Sequence, residues 1–293
     1  MEKVIEVVKN NKLLVAATVT VSAGILYKTI SLNTNKPIFE KDVVYVADFP
    51  GINKDLPSYS PFVLKVISIL EYCNIRYEIN TTGDLGPNPR KTFPYIRYND
   101  EFVYDSYFIL EWISQQFKHV TPKMQQSIGS GGGSGEMDQA IDHITKRFID
   151  QAFTYLSAYI RWVVPEYNEK IIPRLLSSIQ NPIFRSFAHK AINQVSIQKY
   201  KTQVGNFSLD EVVSVFKSDL NSLSNLLGSK TFIFGDHLSM ADISLFSTLA
   251  QIYYVPVDTP IRSILFENQN LLNYIQNVRS LIFSDAKWEL LKQ

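Results

Sequence analysis

A lone cysteine, Cys73, stands in a chain of 293 residues. That excludes an intramolecular disulfide and any multi-cysteine metal site. One free thiol fits a reducing compartment better than a secreted one. Charge of one sign is lacking too: 29 basic residues face 28 acidic ones, for a net charge of +1. So balanced a chain has no single-signed field to draw nucleic acid or an acidic substrate, and no nucleic-acid role is expected. The four histidines, His119, His143, His189 and His237, are scattered. No two of them have metal-ligand spacing, so no bound metal is expected.

What is present is a globular composition, 45% hydrophobic and 19% charged, in a length that accommodates two domains. One charge-free run precedes them: residues 13–27, LLVAATVTVSAGILY, flanked by Lys12 and Lys28. As a helix it would be about 22 Å long, short of a bilayer core of ~30 Å, with lysines at both ends able to snorkel outward. It reads as a short membrane anchor, as a signal peptide cleaved after Val21-Ser22-Ala23, or as a buried or peripheral helix. A soluble fold hardly needs such a run ahead of its first strand, so the anchor is preferred. The expected location is then a membrane with the folded domains facing the cytoplasm, the alternative being a soluble cytoplasmic protein. Residues 1–40 comprise this segment and a polar linker.

Residues 41–118 alternate strand and helix. The β-branched and aromatic run DVVYVADF (42–49) is a buried strand. Ser60-Pro61 opens a helix, serine as N-cap and proline at the first helical position. Val63, Val66, Ile67, Leu70 and Cys73 recur along it at helical spacing, and Asn74 suits its C-terminal cap. RYEIN (76–80) is the next strand, and DLGPNPR (84–90) is a loop. Then comes KTFPYIRYNDEFVYDSYFILEW (91–112): a strand opened by Pro94, a turn at Asn99-Asp100, a short strand, and a helix starting at Asp105-Ser106. The proline at a strand's mouth and the acid-hydroxyl pair at a helix start both look aimed at a ligand. The order predicts a small mixed α/β sheet of thioredoxin-like type with helices on both faces.

Residues 119–136 form a linker with a Gly/Ser-rich core, IGSGGGSG, which carries no chemistry. Residues 137–293 read as all helical. Ser208 with Glu211, and Ser239 with Asp242, are capping boxes, which assigns Asp242 to structure.

A thioredoxin-like half joined to a helical half resembles the glutathione transferases. The resemblance is carried by Ser60-Pro61-Phe62, Phe93-Pro94, Asp105-Ser106 and FGDHLSMADISLF. Three longer blocks, VVYVADFP…LPSYSPFVLKV, KTFPYIRYNDEFVYDSYFILEWI and GNFSLDEVVSVFKSDLNSLSNLLGSKTFIFGDHLSMAD, are similar to the failed-axon-connections family, a relative of the metaxins. The implied activity is conjugation of glutathione to small electrophiles in stress or detoxification. The alternative it implies is a non-catalytic, membrane-tethered, metaxin-like interaction module with a protein partner or a second copy of itself. The implied catalytic group is Ser60, whose hydroxyl would stabilise the glutathione thiolate. Pro94 would be cis, leaving the Phe93 backbone to pair with the peptide part of glutathione. Asp105 would meet its γ-glutamyl ammonium and Ser106 its carboxylate, and Arg90 or Lys91 its glycyl carboxylate. Two positions depart from the family pattern: Gly205-Asn206-Phe207 replaces glycine-arginine-histidine, and Phe93 replaces an aliphatic residue. Arg161-Trp162 resembles a further family feature, read either as facing the interdomain cleft or, in preference, as a packed tryptophan beside a surface arginine.

Overall fold

The computed structural model describes residues 39–49, 56–81, 85–118, 136–176, 182–255 and 257–283. The apolar run 13–27 and most of the Gly/Ser-rich linker lie outside them. Among the described residues no helix is long and apolar enough to cross a membrane.

The amino-terminal part holds β1 (Val44–Ala47), α1 (Pro61–Tyr72), β2 (Tyr77–Asn80), β3 (Tyr95–Tyr98), β4 (Glu101–Tyr104) and α2 (Ser106–Gln116). The sheet order is β2-β1-β3-β4. β1 runs parallel to β2 and antiparallel to β3, and β3 and β4 form the hairpin around Asn99, whose φ of 54° lies in the left-handed region that asparagine tolerates. This is the thioredoxin-type arrangement the strand and helix order predicts.

Alternation along β1 divides the core. Val44 and Val46, with Ile96 of β3, face α1 and α2; Tyr45 and Ala47, with Tyr95, face the opposite side. The expectation of helices on both faces is corrected here: among the described residues, only the first face is covered by helices of this half. The second is closed by Leu85, Phe39, Phe93 and Tyr104. The segment that crosses it carries Pro87 and Pro89, which suit a loop and not a helix interior. Gly86 lets that loop approach: a Cβ there would meet the Phe102 ring at 2.5 Å. Tyr104 Oη donates to the Pro87 carbonyl at 2.9 Å, and Arg90 Nη1 to the Tyr104 carbonyl at 3.2 Å. These bonds fix the approach to Phe93.

The rest is helical: α3 (Glu136–Phe148), a π-helical turn (Ile149–Phe153), α4 (Thr154–Val163), α5 (Pro165–Leu175), α6 (Pro182–Gln203), α7 (Leu209–Leu227), α8 (Met240–Tyr253), α9 (Pro260–Phe266) and α10 (Gln269–Ile282). Every residue of α8 is buried. It packs against α1 on one side and the other helices on the other, so one apolar core runs through both halves. Both capping boxes form. Asp242 goes further than a cap: it accepts from Ile233 N, Ser239 N, Ser239 Oγ and Tyr274 Oη, all within 3.1 Å.

Candidate functional site

The residues singled out in the sequence lie along contacts that run from the start of α1, past Phe49 and Phe93, to the start of α2. Ser60 caps α1, its Oγ accepting from Val63 N at 3.4 Å. That bond uses an oxygen lone pair and leaves the hydroxyl proton uncommitted. Ser60 N in turn donates to Ser58 Oγ at 3.0 Å. Asp48, at the end of β1, lies beside the Ser58 hydroxyl. Its Oδ1 accepts from Phe49 N at 2.7 Å, while its buried Oδ2 has no hydrogen-bond partner. Burial pushes this carboxyl up to about 6, against the opposing pull of Ser58 and the Phe49 amide.

Phe49 continues the rim. Its ring meets that of Phe93 edge-on at 4.7 Å, and Phe93 stacks on Tyr95 at 5.9 Å. The Phe93–Pro94 peptide is cis, as the resemblance implies. Among the described residues no hydrogen bond is made by the Phe93 N–H or carbonyl. The bulky ring departs from the family pattern, yet it packs sideways along the sheet and stays with the core.

Pro94 O accepts from Asp105 N at 3.1 Å, which joins the β3 entrance to the start of α2. Asp105 is the N-cap, accepting from Tyr107 N at 2.9 Å with a φ of 76°. A non-glycine residue held at positive φ costs of order 1 kcal/mol or more and is typical of ligand sites. Ser106 follows at the first helical position, 5% exposed, and its hydroxyl makes no hydrogen bond among the described residues. Arg90 lies against the Tyr104 and Phe108 rings at 5.9 and 5.3 Å. That places its guanidinium near the start of α2, and among the described residues no hydrogen bond or ion pair is made by the Lys91 side chain.

The helical half supplies groups that pattern reading missed. Lys65, on the inner face of α1, pairs with Asp150 of the π turn at 2.6 Å. Neither follows from periodicity: Lys65 interrupts an apolar face, and Asp150 reaches it because the π turn shifts the helical phase. Lys146 lies over the Tyr107 ring at 4.6 Å; burial first and the Lys65 charge second hold its ammonium below the usual lysine range. Tyr155 of α4 is 6.3 Å from the Phe62 ring, and the charges of Asp105 and Asp150 reach it.

The reading of Arg161 as a surface arginine is overturned. It is 5% exposed. Its Nη1 donates to Gln251 Oε1 at 2.9 Å and its Nη2 to the Tyr59 carbonyl at 3.2 Å, while Gln251 Nε2 donates to the Ser58 carbonyl at 3.0 Å. The turn that carries Ser60 is thus braced from α4 and α8. Its neighbour Trp162 is packed beside the guanidinium, 5.2 Å away, as read. Cys73 is buried at the far end of α1, a core thiol. Among the described residues no cluster of three or more His, Cys, Asp or Glu side chains could hold a metal ion.

Comparison with known proteins follows the same division. A glutathione S-transferase N-terminal domain profile matches residues 61–167, and a glutathione S-transferase C-terminal domain profile matches 216–278. Phe93, Pro94, Asp105 and Ser106 fall inside the first match, and Ser60 falls one residue outside it. Failed axon connections of Drosophila melanogaster is 27% identical over 268 residues, covering 86% of this chain and 61% of that protein. The chain thus spans under two thirds of that relative's length. The isoprene-epoxide–glutathione S-transferase of Rhodococcus sp. strain AD45 is 27% identical over 232 residues, covering 76% of this chain and 93% of its own. Among solved structures, a glutathione transferase of Phanerochaete chrysosporium superposes with a TM-score of 0.60 at 13% identity, over 84% of this chain and 100% of that one. A beta-etherase of Sphingobium sp. strain SYK-6 gives 0.55 at 15%, over 81% and 95%. At these identities the structures speak for the fold alone. With both domain profiles and the match to the Drosophila protein over 86% of this chain in agreement, the chain has the two-domain glutathione transferase fold and is similar to failed axon connections.

Proposed function

We propose that the protein binds glutathione along the rim from Ser60 to Ser106 and conjugates it to a small electrophile. The observation that carries this reading is the start of α2. There Ser106, 5% exposed and with no hydrogen bond to its hydroxyl among the described residues, sits beside an N-cap aspartate held at positive φ. In this reading Ser106 and the first amides of α2 hold the γ-glutamyl carboxylate, favoured by the helix dipole. Asp105 keeps one carboxylate oxygen for the ammonium. The unpaired N–H and carbonyl of Phe93 hold the cysteinyl backbone. The thiol then faces the α1 start, where the Ser60 hydroxyl donates its free proton to the sulfur and favours the thiolate. The thiolate attacks an electrophilic carbon: a carbon–sulfur bond forms, and the displaced electron pair leaves with the departing group or is protonated from water.

Calorimetric titration with glutathione tests the reading. Heat is expected at millimolar ligand, lost in Ser106→Ala. In Ser60→Ala binding persists while the bound thiol's pKa rises and conjugation slows. Absence of heat from the unaltered protein at millimolar glutathione refutes it.

A protein-contact role has its own supporting observation. α3 exposes Met137, Ile141 and Ile144, at 70%, 37% and 65%, on one helical face, and α2 exposes Phe108 at 48%. In this reading the fold is a non-catalytic module tethered through residues 13–27. Recovery of the full chain in the soluble fraction after lysis would refute the tether.

A further inference from the structure

Arg161 is a buried cation without a counter-ion. Its two hydrogen-bond acceptors, Gln251 Oε1 and the Tyr59 carbonyl, are both neutral. Among the described residues no carboxylate lies within ion-pair distance of it. The ionisable groups that act on it are the Tyr200 and Tyr59 phenols, which carry no charge at neutral pH. Its Nε is buried with no hydrogen-bond partner among the described residues. A charge so placed is costly until an opposite charge pairs with it.

Beside Arg161 lies a small cavity between α4, α5, α8 and the turn that leads into α9. Arg161, Gln251 and Thr259 line it, with the aliphatic side chains of Ile171, Ile252 and Val257. It measures about 10 Å³ at a water-sized radius, room for one small guest. The side-chain groups on its wall with a bond still to make are donors. Arg161 Nε is the first. Thr259 Oγ1 accepts from Arg262 N at 3.2 Å, which uses a lone pair and leaves the hydroxyl proton uncommitted. Gln251 Nε2 gives one proton to the Ser58 carbonyl at 3.0 Å and keeps a second, while its Oε1 already accepts from Arg161. A water molecule needs acceptors for its own protons, and it would leave the guanidinium charge unpaired. An anion takes all three donors and supplies the opposite charge. The aliphatic remainder of the wall disfavours phosphate or sulfate, whose further oxygens would be buried without partners.

We propose that this cavity is a binding site for one small monovalent anion, with chloride as the ion, held by Arg161 Nε, Thr259 Oγ1 and Gln251 Nε2. Arg161 and Gln251 are the same two side chains that hold the Ser58 and Tyr59 carbonyls. The bound ion neutralises the guanidinium of that brace, so chloride stiffens the turn that carries Ser60. The site concerns the support of the turn and does not depend on the glutathione reading.

The test is thermal unfolding of the full chain, without glutathione, as sodium gluconate is replaced by sodium chloride or bromide up to ~0.15 M at constant ionic strength. Gluconate is too large for the cavity. Tm should rise by about 2–4 °C and level off as a single site fills, with bromide acting as chloride does. Thr259→Ser keeps both the α9 cap and the hydroxyl and should keep the rise. Thr259→Val loses both: its Tm in gluconate should be lower, and its half-saturating chloride concentration should increase about threefold or more. Arg161→Met should abolish the response. Equal Tm in chloride and gluconate for the unaltered chain overturns the inference, and so does a chloride response that Arg161→Met retains. If Arg161→Met does not fold, an undiminished response in Thr259→Val overturns it instead.

Discussion

The Lys65 ammonium and the Asp150 carboxylate form a buried ion pair at 2.6 Å, with 2% and 8% of their side chains exposed. It joins α1, the helix that begins at Ser60, to the π turn of the helical half. A buried pair stabilises little relative to an apolar replacement, but one partner stranded alone is costly. Lys146 lies close enough to feel both charges, so the two single substitutions are not equivalent. Lys65→Met leaves Asp150 with a second lysine nearby. Asp150→Asn leaves two ammonium groups facing each other. Urea unfolding should show Asp150→Asn losing about 3–5 kcal/mol and Lys65→Met less, with the double variant Lys65→Met/Asp150→Leu recovering most of the loss. Equal losses in the two single variants would show that Lys146 does not share the pair.

That pair also marks the limit of what pattern reading reaches. The amino-terminal elements were legible because their signals are local: Ser60-Pro61 for α1, Asn99-Asp100 for the hairpin, Asp105 for the start of α2. The rim from Phe93 to Ser106 was legible for the same reason, since the whole of it lies in one continuous stretch. The opposite wall was not. Lys65 and Asp150 are 85 positions apart in the chain, and Arg161 meets Tyr59 across 102. A single arginine in an apolar helix carries no local mark of burial; its partners are one backbone carbonyl and a glutamine, neither of which has a recognisable spacing. The loop over the second sheet face failed differently. Prolines signalled its irregularity correctly, but the general plan of helices on both faces overrode that local signal.

The brace from Arg161 and Gln251 to the Ser58–Tyr59 turn yields a second prediction. Burial brings the guanidinium down to about 10, with the Tyr200 and Tyr59 phenols opposing, so it remains charged at neutral pH. Its bonds to Tyr59 O and Gln251 are charge-assisted, each about 1.5–3 kcal/mol. Arg161→Met removes both and frees Gln251 from its acceptor role. Amide exchange at Ser60 and Val63 should accelerate tenfold or more, while amides in α7 keep their protection. Arg161→Lys should fall between, because an ammonium cannot reach both acceptors in the plane of the guanidinium. Unchanged exchange at Ser60 would mean that the Asp48–Ser58 side alone holds the turn.

Asp48 and Asp242 provide a matched pair for the last prediction. Burial raises both to about 6 from an ordinary 3.8. Below 3.8 each is protonated in the folded and unfolded chains alike. Between 3.8 and 6 the unfolded chain releases its proton and the folded one retains it, so stability falls as pH rises through this window. Above 6 the loss is complete, about 3 kcal/mol per residue at 1.36 kcal/mol per pK unit. Asparagine abolishes the charge at both sites, but the hydrogen bonds differ. Asp48 has one oxygen without a partner beside the Ser58 hydroxyl, where an amide can donate. Asp242 receives four donors, and an amide would point N–H groups at N–H groups. Asp48→Asn should therefore be as stable as the unaltered chain or more so at pH 7.5, with a flatter profile between pH 4 and 6. Asp242→Asn should lose about 3 kcal/mol or more at pH 7.5. Thermal unfolding of the two variants from pH 4 to 8 decides it. If Asp48→Asn is the more damaging at pH 7.5, the Asp48 carboxylate has a partner that must be charged, and its role in holding the Ser58–Ser60 turn is stronger than burial and the Phe49 amide account for.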